Sequence, residues 1–137
     1  MTHHAHAVVW IDHRQAKIFE FDREDAQRRT IHHQDAEKQI HHKSGSIGSG
    51  HMREDEAYLQ DVAEALSGTA EILIVGPGHV KWQLRAWLNL HMPKVSQRVM
   101  AVVHADHPSD GQIVDSARKY FSRIDRMTPQ ISSQTPH

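Results

Sequence analysis

The sequence predicts an α/β domain with a mixed five-stranded sheet, and three observations support this fold class. Short apolar segments rich in β-branched residues recur along the chain, which is typical of buried strands. Segments whose apolar residues follow helical spacing lie between and after the later strands. The resulting order is β-β-β-α-β-α-β-α, so a meander of three strands precedes two β-α units with right-handed crossovers. Helices on both faces of the sheet then give three layers.

The first three strands are predicted at 7–11, 16–21 and 28–33. The segment AVVWI at 7–11 is continuously apolar, and AKIFEF at 16–21 is expected to form a hairpin with it. The segment RRTIHH at 28–33 carries charges that need water, so we expect this strand at an edge of the sheet. Such an edge leaves self-association into a homo-oligomer open.

The second half of the chain alternates helices with strands. Apolar stripes predict helices over 53–66, 80–91 and 113–124, and apolar runs predict strands over 71–75 and 98–103. The run EILIV at 71–75 is unbroken, as in a strand covered on both faces. Pro93 is expected to end the middle helix, and the pattern Ser109-Asp110-Gly111-Gln112 predicts a capping box for the last one.

The composition indicates one globular domain and excludes several kinds of protein. The chain has 137 residues, of which 38% are hydrophobic and 24% charged. A net charge of -1 gives no overall reason to bind nucleic acid or a membrane, so RNA contact needs a local patch and DNA is not expected. The absence of cysteine excludes disulfides and thiolate metal sites. Without a visible secretory signal or a membrane-length apolar run, we expect a cytoplasmic protein with no membrane partner.

We expect a single domain over 7–127 and three irregular segments. Residues 1–6 are predicted to form a flexible N-terminus. Residues 34–52 are predicted to form a long loop that contains glycine and histidine. Residues 128–137 are polar and include two prolines, which predicts a disordered tail.

The loop at 34–52 is the first candidate for function, because long loops in compact domains are usually functional or disordered. It contains HHKSGSIGSGH at 41–51, in a chain with 14 histidines. Histidine, lysine and arginine can present positive charge to phosphates, and imidazoles also bind metals. The alternative is a surface loop without a ligand. The candidate RNA or ribosome contacts are His41, His42, Lys43, Gly48, Ser49, Gly50, His51 and Arg53.

A second candidate is the turn that contains Gly76, Gly78 and Lys81, where a strand leads into a helix. Helix N-termini bind anions through free backbone N–H groups and the helix dipole, and a lysine one turn later could assist. The turn has neither the P-loop pattern nor the dinucleotide-binding pattern of glycines. The alternative is a tight turn with a proline near the first helical position.

A third candidate follows the last strand, where His104, Asp106 and His107 could bind a divalent metal such as zinc, nickel or magnesium. Carboxyl ends of strands are favoured sites in α/β sheets. Asp12 at the end of the first strand could join Asp106 in a metal-dependent phosphoesterase. The alternatives are that Asp106 and His107 satisfy the loop backbone, and that Asp12 is a hairpin residue.

Several motifs, in this order, resemble one family. DHR at 12–14 precedes HHKSGSIGSGH at 41–51, which leads into a helix with Tyr58 and VAEAL. ILIVGPG at 72–78 comes next, followed by Lys81, and DHPSDGQIV precedes the last helix. This arrangement resembles the middle domain of the eukaryotic and archaeal peptide-chain release factor and Pelota family. It is especially similar to small bacterial translational machinery proteins, and the resemblance covers roughly residues 7–125.

The resemblance implies a ribonuclease-H-like fold and a setting on the ribosome or RNA. In true release factors a Gly-Gly-Gln tip in this loop promotes peptidyl-tRNA hydrolysis. The matching place here reads Gly48-Ser49-Gly50-His51, so the second glycine and the glutamine are absent. The favoured interpretation is a translation-associated module that contacts the ribosome or tRNA through 41–53, with enzymatic activity left open. The alternatives are a metal-dependent phosphoesterase or peptidyl-tRNA hydrolase, and a histidine-rich metal-binding protein.

Overall fold

A mixed five-stranded sheet forms the framework of the protein in a computed structural model. The structure describes the backbone of residues 6–34 and 49–134 and the side chains of 6–34 and 54–124. The strands are β1 His6–Ile11, β2 Gln15–Phe21, β3 Ala26–His32, β4 Glu71–Gly76 and β5 Val99–His104. Their order across the sheet is β3-β2-β1-β4-β5. The meander β1-β2-β3 is antiparallel, whereas β4 pairs in parallel with both β1 and β5, which confirms the predicted mixed sheet.

Four helices are described along the chain. They are α1 Ser49–Leu66, α2 Val80–His91, α3 Pro93–Ser96 and α4 Asp110–Gln134. The molecule divides into two compact units: the first ends at His107 and contains the whole sheet, and the second begins at Pro108 and contains α4. No helix in the described parts of the chain is long and apolar enough to span a membrane.

The core of the first unit lies between α1, α2 and one face of the sheet. Side chains alternate between the two faces of a strand, so every second residue of β1 and β4 points into this core. The fully buried members include Val9, Ile11, Ile74, Val62, Leu66, Leu84 and Leu88. Burying a side chain of this size stabilises a fold by roughly 1.5–3 kcal/mol. The continuous apolar runs of the sequence therefore set the position of α1 and α2.

The start of α1 corrects part of the predicted loop. Residues 49–52 belong to the helix, which begins at Ser49 rather than at Arg53. The N–H groups of a first helical turn have no partner within the helix, so the glycine at position 50 is tolerated there. Residues 35–48, the rest of the predicted loop, lie outside the described residues.

Two prolines lie near the ends predicted for the second and the last helix. Helix α2 ends at His91, just before Pro93, as predicted, and Pro93 begins the short helix α3. Helix α4 continues past Pro129 to Gln134, so 128–134 is helical where a disordered tail was predicted. Proline fixes φ at about −65°, which suits the first turn of a helix, whereas inside a helix it lacks a backbone donor and its ring crowds the carbonyl four residues earlier. Residues 1–5 and 135–137 lie outside the described residues.

The second unit shows the predicted capping box. The backbone N–H of Gln112 donates to Ser109 Oγ at 3.2 Å, and the N–H of Ser109 donates to Gln112 Oε1 at 2.9 Å. These reciprocal bonds satisfy donors that the first helical turn leaves free. Ile113, Ala117 and Phe121 form the buried stripe of α4, as their spacing predicts.

Candidate functional site

A cavity of about 80 Å³ lies where several chain segments of the first unit converge. The turn after β1, the residue after β3, the N-terminal half of α1 and the start of α2 all contribute to it. Carboxyl ends of parallel strands and N-termini of the following helices are favoured places for sites in α/β folds. The lining residues are His13, His33, Asp55, Tyr58, Leu59, Val80 and Gln83.

The central contact of this cavity joins His33 to Asp55. The Nε2 atom of His33 lies 2.6 Å from Asp55 Oδ1, and the His33 residue is only 5% exposed. The backbone N–H of His33 also donates to the carbonyl of Arg14 at 2.9 Å. His33 directly follows β3 and Asp55 lies in α1, so the contact links the two ends of the segment between them. Nothing in local spacing pairs positions so far apart, so the sequence does not predict this contact.

Tyr58 lines the cavity beside His33. Its hydroxyl donates to the backbone carbonyl of Asp12 at 2.8 Å, and its ring lies 4.9 Å from the ring of His33. Burial raises the pKa of the Tyr58 phenol far above its usual value, and the negative charge of Asp12 raises it further. Tyr58 is therefore a neutral hydrogen-bond donor at physiological pH, which fixes α1 to the turn after β1.

The carboxylate of Asp12 is engaged by its own hairpin. Its Oδ1 accepts hydrogen bonds from the backbone N–H groups of Arg14 and Gln15, both at 2.9 Å. Side chains of this type commonly satisfy the backbone of a tight turn. Of the two alternatives for Asp12, this geometry supports the hairpin residue.

The predicted metal ligands are only partly brought together. His104 Nε2 lies 3.4 Å from Asp106 Oδ1, and both side chains are exposed. The ring of His107 instead packs against Trp10, with ring centroids 5.2 Å apart, while the Trp10 indole N–H donates to the carbonyl of Asp106. Within the described residues, no group of three or more His, Cys, Asp or Glu could hold a metal ion. Metal binding at this place stays a prediction.

In the predicted anion-binding turn, the side chain of Lys81 bonds the backbone of the turn itself. The Nζ atom of Lys81 donates to the carbonyl of Gly78 at 2.5 Å, and the Lys81 side chain is buried. Gly76 lies against the backbone of β1, where an added Cβ would be 2.2 Å from the carbonyl oxygen of Ile11. The residues of this turn therefore have structural roles that do not require an anion.

The predicted RNA contacts mostly lie beyond the described side chains. His41, His42, Lys43 and Gly48 fall outside the described residues. The other four, Ser49, Gly50, His51 and Arg53, belong to the first turns of α1, and their side chains are not described. What the structure adds is the place where this segment meets the fold, beside the His33–Asp55 contact.

Replacing Tyr58 by phenylalanine should lower the free energy of unfolding by about 1 kcal/mol at neutral pH, because the carbonyl of Asp12 loses its donor. A tyrosine with a raised pKa stabilises the fold below pH 10, and this stabilisation is lost as pH rises above the unfolded value of 10.0. The difference in stability between the wild type and Tyr58→Phe should therefore narrow above pH 10. Urea denaturation at several pH values measures it.

A spectroscopic control isolates Tyr58, since the chain has two tyrosines. In Tyr120→Phe the ultraviolet absorbance of phenolate reports Tyr58 alone. We expect no phenolate signal while the protein remains folded at alkaline pH. Ionisation near pH 10 in the folded protein would contradict the buried hydrogen bond to Asp12.

Comparison with solved structures finds the same fold in Pelota, in a translation termination factor and in a termination-like factor. The Pelota protein of Archaeoglobus fulgidus matches with a TM-score of 0.60 and 12% identity, covering 96% of this chain and 40% of that protein. The archaeal translation termination factor aRF1 matches with a TM-score of 0.55 and 9% identity, covering 93% of this chain and 41% of the factor. Dom34 of S. cerevisiae matches with a TM-score of 0.53 and 9% identity, covering 82% of this chain and 31% of Dom34.

These matches define what the likeness establishes. No protein-family model matches the sequence. No curated protein sequence gives a significant match. The chain spans less than half the length of each of these three solved structures, and identities this low show the fold alone. The expected α/β class with its mixed five-stranded sheet is confirmed, and the chain has the fold of a domain of the release-factor and Pelota family.

Proposed function

We propose that this chain is a translation-associated domain that works in the cytoplasm and contacts ribosomal RNA or tRNA through residues 41–53. The observation that carries the proposal is the fold, which matches Pelota over 96% of this chain. The matched proteins include a translation termination factor and a termination-like factor involved in RNA quality control. The same setting for this chain is the simplest functional consequence of that likeness.

The position of the segment in the fold supports the proposal. Residues 35–48 connect His33 to α1, and the 2.6 Å contact between His33 and Asp55 fastens the two ends at one edge of the sheet. Because this contact holds β3 and α1 together, residues 35–48 can bind a partner without separating β3 from α1. Lys43 and Arg53 carry positive charge, and protonated histidines add to it, as phosphate contact requires.

Peptide release by a Gly-Gly-Gln tip is not part of the proposal. The sequence at the matching place is Gly48-Ser49-Gly50-His51. Without the glutamine of that tip, the domain is proposed to bind rather than to hydrolyse peptidyl-tRNA. The chain also covers only 31–41% of the matched factors, so their remaining activities are not transferred to it.

Co-sedimentation with ribosomes at low salt tests the proposal. Because α1 begins at Ser49, a variant lacking 41–48 leaves the helix in place and removes four of the eight candidate contacts, namely His41, His42, Lys43 and Gly48. We expect the deletion to weaken ribosome binding at least about tenfold, because it removes positive charge that would contact phosphates. Each lost phosphate contact should also lower the salt dependence of binding. Lys119→Ala, which removes an exposed lysine from α4, is the matched control and should bind like the wild type.

Two results would count against the proposal. If the deletion variant sediments with ribosomes as well as the wild type does, residues 41–48 are not the contact. If the wild-type protein does not sediment with ribosomes at any salt concentration, the setting in translation is wrong and only the fold is shared.

A further inference from the structure

Trp82 on α2 is the one tryptophan with a largely open ring, among three in the chain. Its side chain is 54% exposed, whereas Trp10 is buried and the Trp87 indole N–H donates to Glu56 Oε1 at 3.0 Å. The buried side of α2 consists of Lys81, Leu84 and Leu88, so Trp82 lies on the outer side. An open aromatic ring is unfavourable in water unless a partner covers it.

The chain around Trp82 has an unusual charge. Residues 72–105 contain no aspartate or glutamate, although the protein as a whole has a net charge of -1. The same segment contains the basic residues Lys81, Arg85, Lys94 and Arg98. Two of them donate to backbone carbonyls, Lys81 to Gly78 and Arg98 to Ser67 and Thr69, and such bonds leave their positive charge in place. The segment therefore carries a local excess of positive charge.

Arg85 is the basic residue best placed beside Trp82. It follows Trp82 by three positions, so the two side chains are neighbours on the helix surface, and helical side chains lean towards the N-terminus. Arg85 is half-buried and makes no ion pair with another described residue, and its Nε atom is buried without a hydrogen-bond partner among them. His79 lies three positions before Trp82 and is exposed, and its backbone carbonyl accepts a hydrogen bond from the backbone N–H of Trp82 at 2.9 Å.

We propose that Trp82 is a stacking site for an unpaired base of single-stranded RNA, with Arg85 and His79 beside the adjoining phosphates. Every base has a π face, so an exposed indole next to a positive charge binds single strands with little sequence preference. An acid-free helix complements the phosphate backbone that accompanies such a base. The choice of RNA rests on the proposed function, but the site is separate from residues 41–53 and deepens that function with a second contact.

A competing occupant of the same helix would be another protein. Leu90 lies two turns after Trp82 and is 76% exposed. A protein partner on this side of α2 would cover both apolar side chains, whereas a stacked base needs only Trp82. Leu90→Ala is therefore the matched control variant, since it removes an exposed apolar side chain from the same helix.

The test titrates fluorescently labelled oligoadenylate RNA against the purified protein and follows anisotropy. Trp82→Ala should weaken binding about tenfold or more, Trp82→Phe should stay within about threefold of the wild type, and Leu90→Ala should not change it. Stacking should quench the intrinsic fluorescence of the wild type. In Trp82→Phe the quenching should disappear while anisotropy still reports binding.

Several outcomes would overturn the inference. They are equal binding by Trp82→Ala and wild type, an equal loss in Leu90→Ala, and a preference for duplex over single-stranded RNA. A DNA oligomer of the same sequence tests whether the sugar contributes to binding. If DNA binds as tightly as RNA, the base stacks and the sugar is not recognised. Arg85→Gln should lower the slope of affinity against salt by about 0.7, the value for one phosphate contact on a single strand.

The variant lacking 41–48 keeps this inference distinguishable from the proposed function. If it loses ribosomes but still binds oligoadenylate, both stand. If no variant binds ribosomes while the Trp82-dependent binding of RNA remains, the proposed function fails and the stacking site stands. If ribosome binding depends on 41–48 and Trp82→Ala changes nothing, the stacking site fails alone.

Discussion

Gly76→Ala is expected to destabilise the protein by at least about 3 kcal/mol, because the added Cβ would lie 2.2 Å from the carbonyl oxygen of Ile11. The obstructing atom belongs to the backbone of β1, so no flexible side chain can move aside. β1 and β4 are neighbours in the middle of the sheet, and the preceding pair is Trp10 with Val75. β1 and β4 would have to separate at their carboxyl ends, near the candidate site.

Gly78→Ala is the control for this prediction. Nothing lies within 4 Å of the position that its Cβ would take, although the same turn contains both glycines. We expect a change of no more than about 0.5 kcal/mol, as for most exposed substitutions. Urea denaturation followed by far-ultraviolet circular dichroism measures both variants. Equal stability of the two would show that β1 and β4 are further apart at this point than the structure has them.

Leu84→Ala is expected to cost about 2–5 kcal/mol, through the loss of buried methyl groups and the cavity left behind. Leu84 is fully buried in the core between α2 and the sheet. Leu90→Ala, on the exposed side of the same helix, should change stability by less than about 0.5 kcal/mol. The difference in midpoint urea concentration between the two variants tests the orientation of α2. A similar loss in both variants would mean that the helix is rotated about its axis, and Trp82 would then not face solvent.

The elements predicted correctly share a local signal in the sequence. The apolar runs of β1 and β4 are long enough to specify buried strands, and the pair Ser109 and Gln112 specifies a helix start through bonds within four residues. A local signal also led to the one helix end that the structure places differently. The polar composition and two prolines of 128–137 predicted a disordered tail, whereas α4 continues past Pro129 to Gln134.

The candidate site was less accessible to sequence analysis because its contacts are not local. His33 and Asp55 are separated by the segment that the sequence analysis treated as the functional loop, and no periodicity relates them. The indole of Trp10 meets the carbonyl of Asp106 across most of the chain. Lys81 has the right position for an anion site, but its ammonium bonds the carbonyl of Gly78, and that competition between ligand and backbone is visible only in three dimensions.

The charge around Trp82 is a different case, because it was present in the sequence and hidden by averaging. Positive and negative residues nearly balance over the whole chain. The acid-free stretch from 72 to 105 emerges only when charge is read segment by segment. Its meaning then depends on the structure, which shows that Trp82 is exposed and that Lys81 is buried.

The strand order has a consequence for folding while the chain is being synthesised. β1 is the middle strand, and it pairs with β2 through a short hairpin that can close as soon as both are translated. The other edge of β1 stays unpaired until β4 is translated, because β1 and β4 pair from His6 and Glu71 onwards. Until then the nascent chain exposes an apolar strand edge that other chains could pair with, and closing such a distant contact is slow. We therefore expect pairing with other chains to be most favoured before α1 and β4 have been translated.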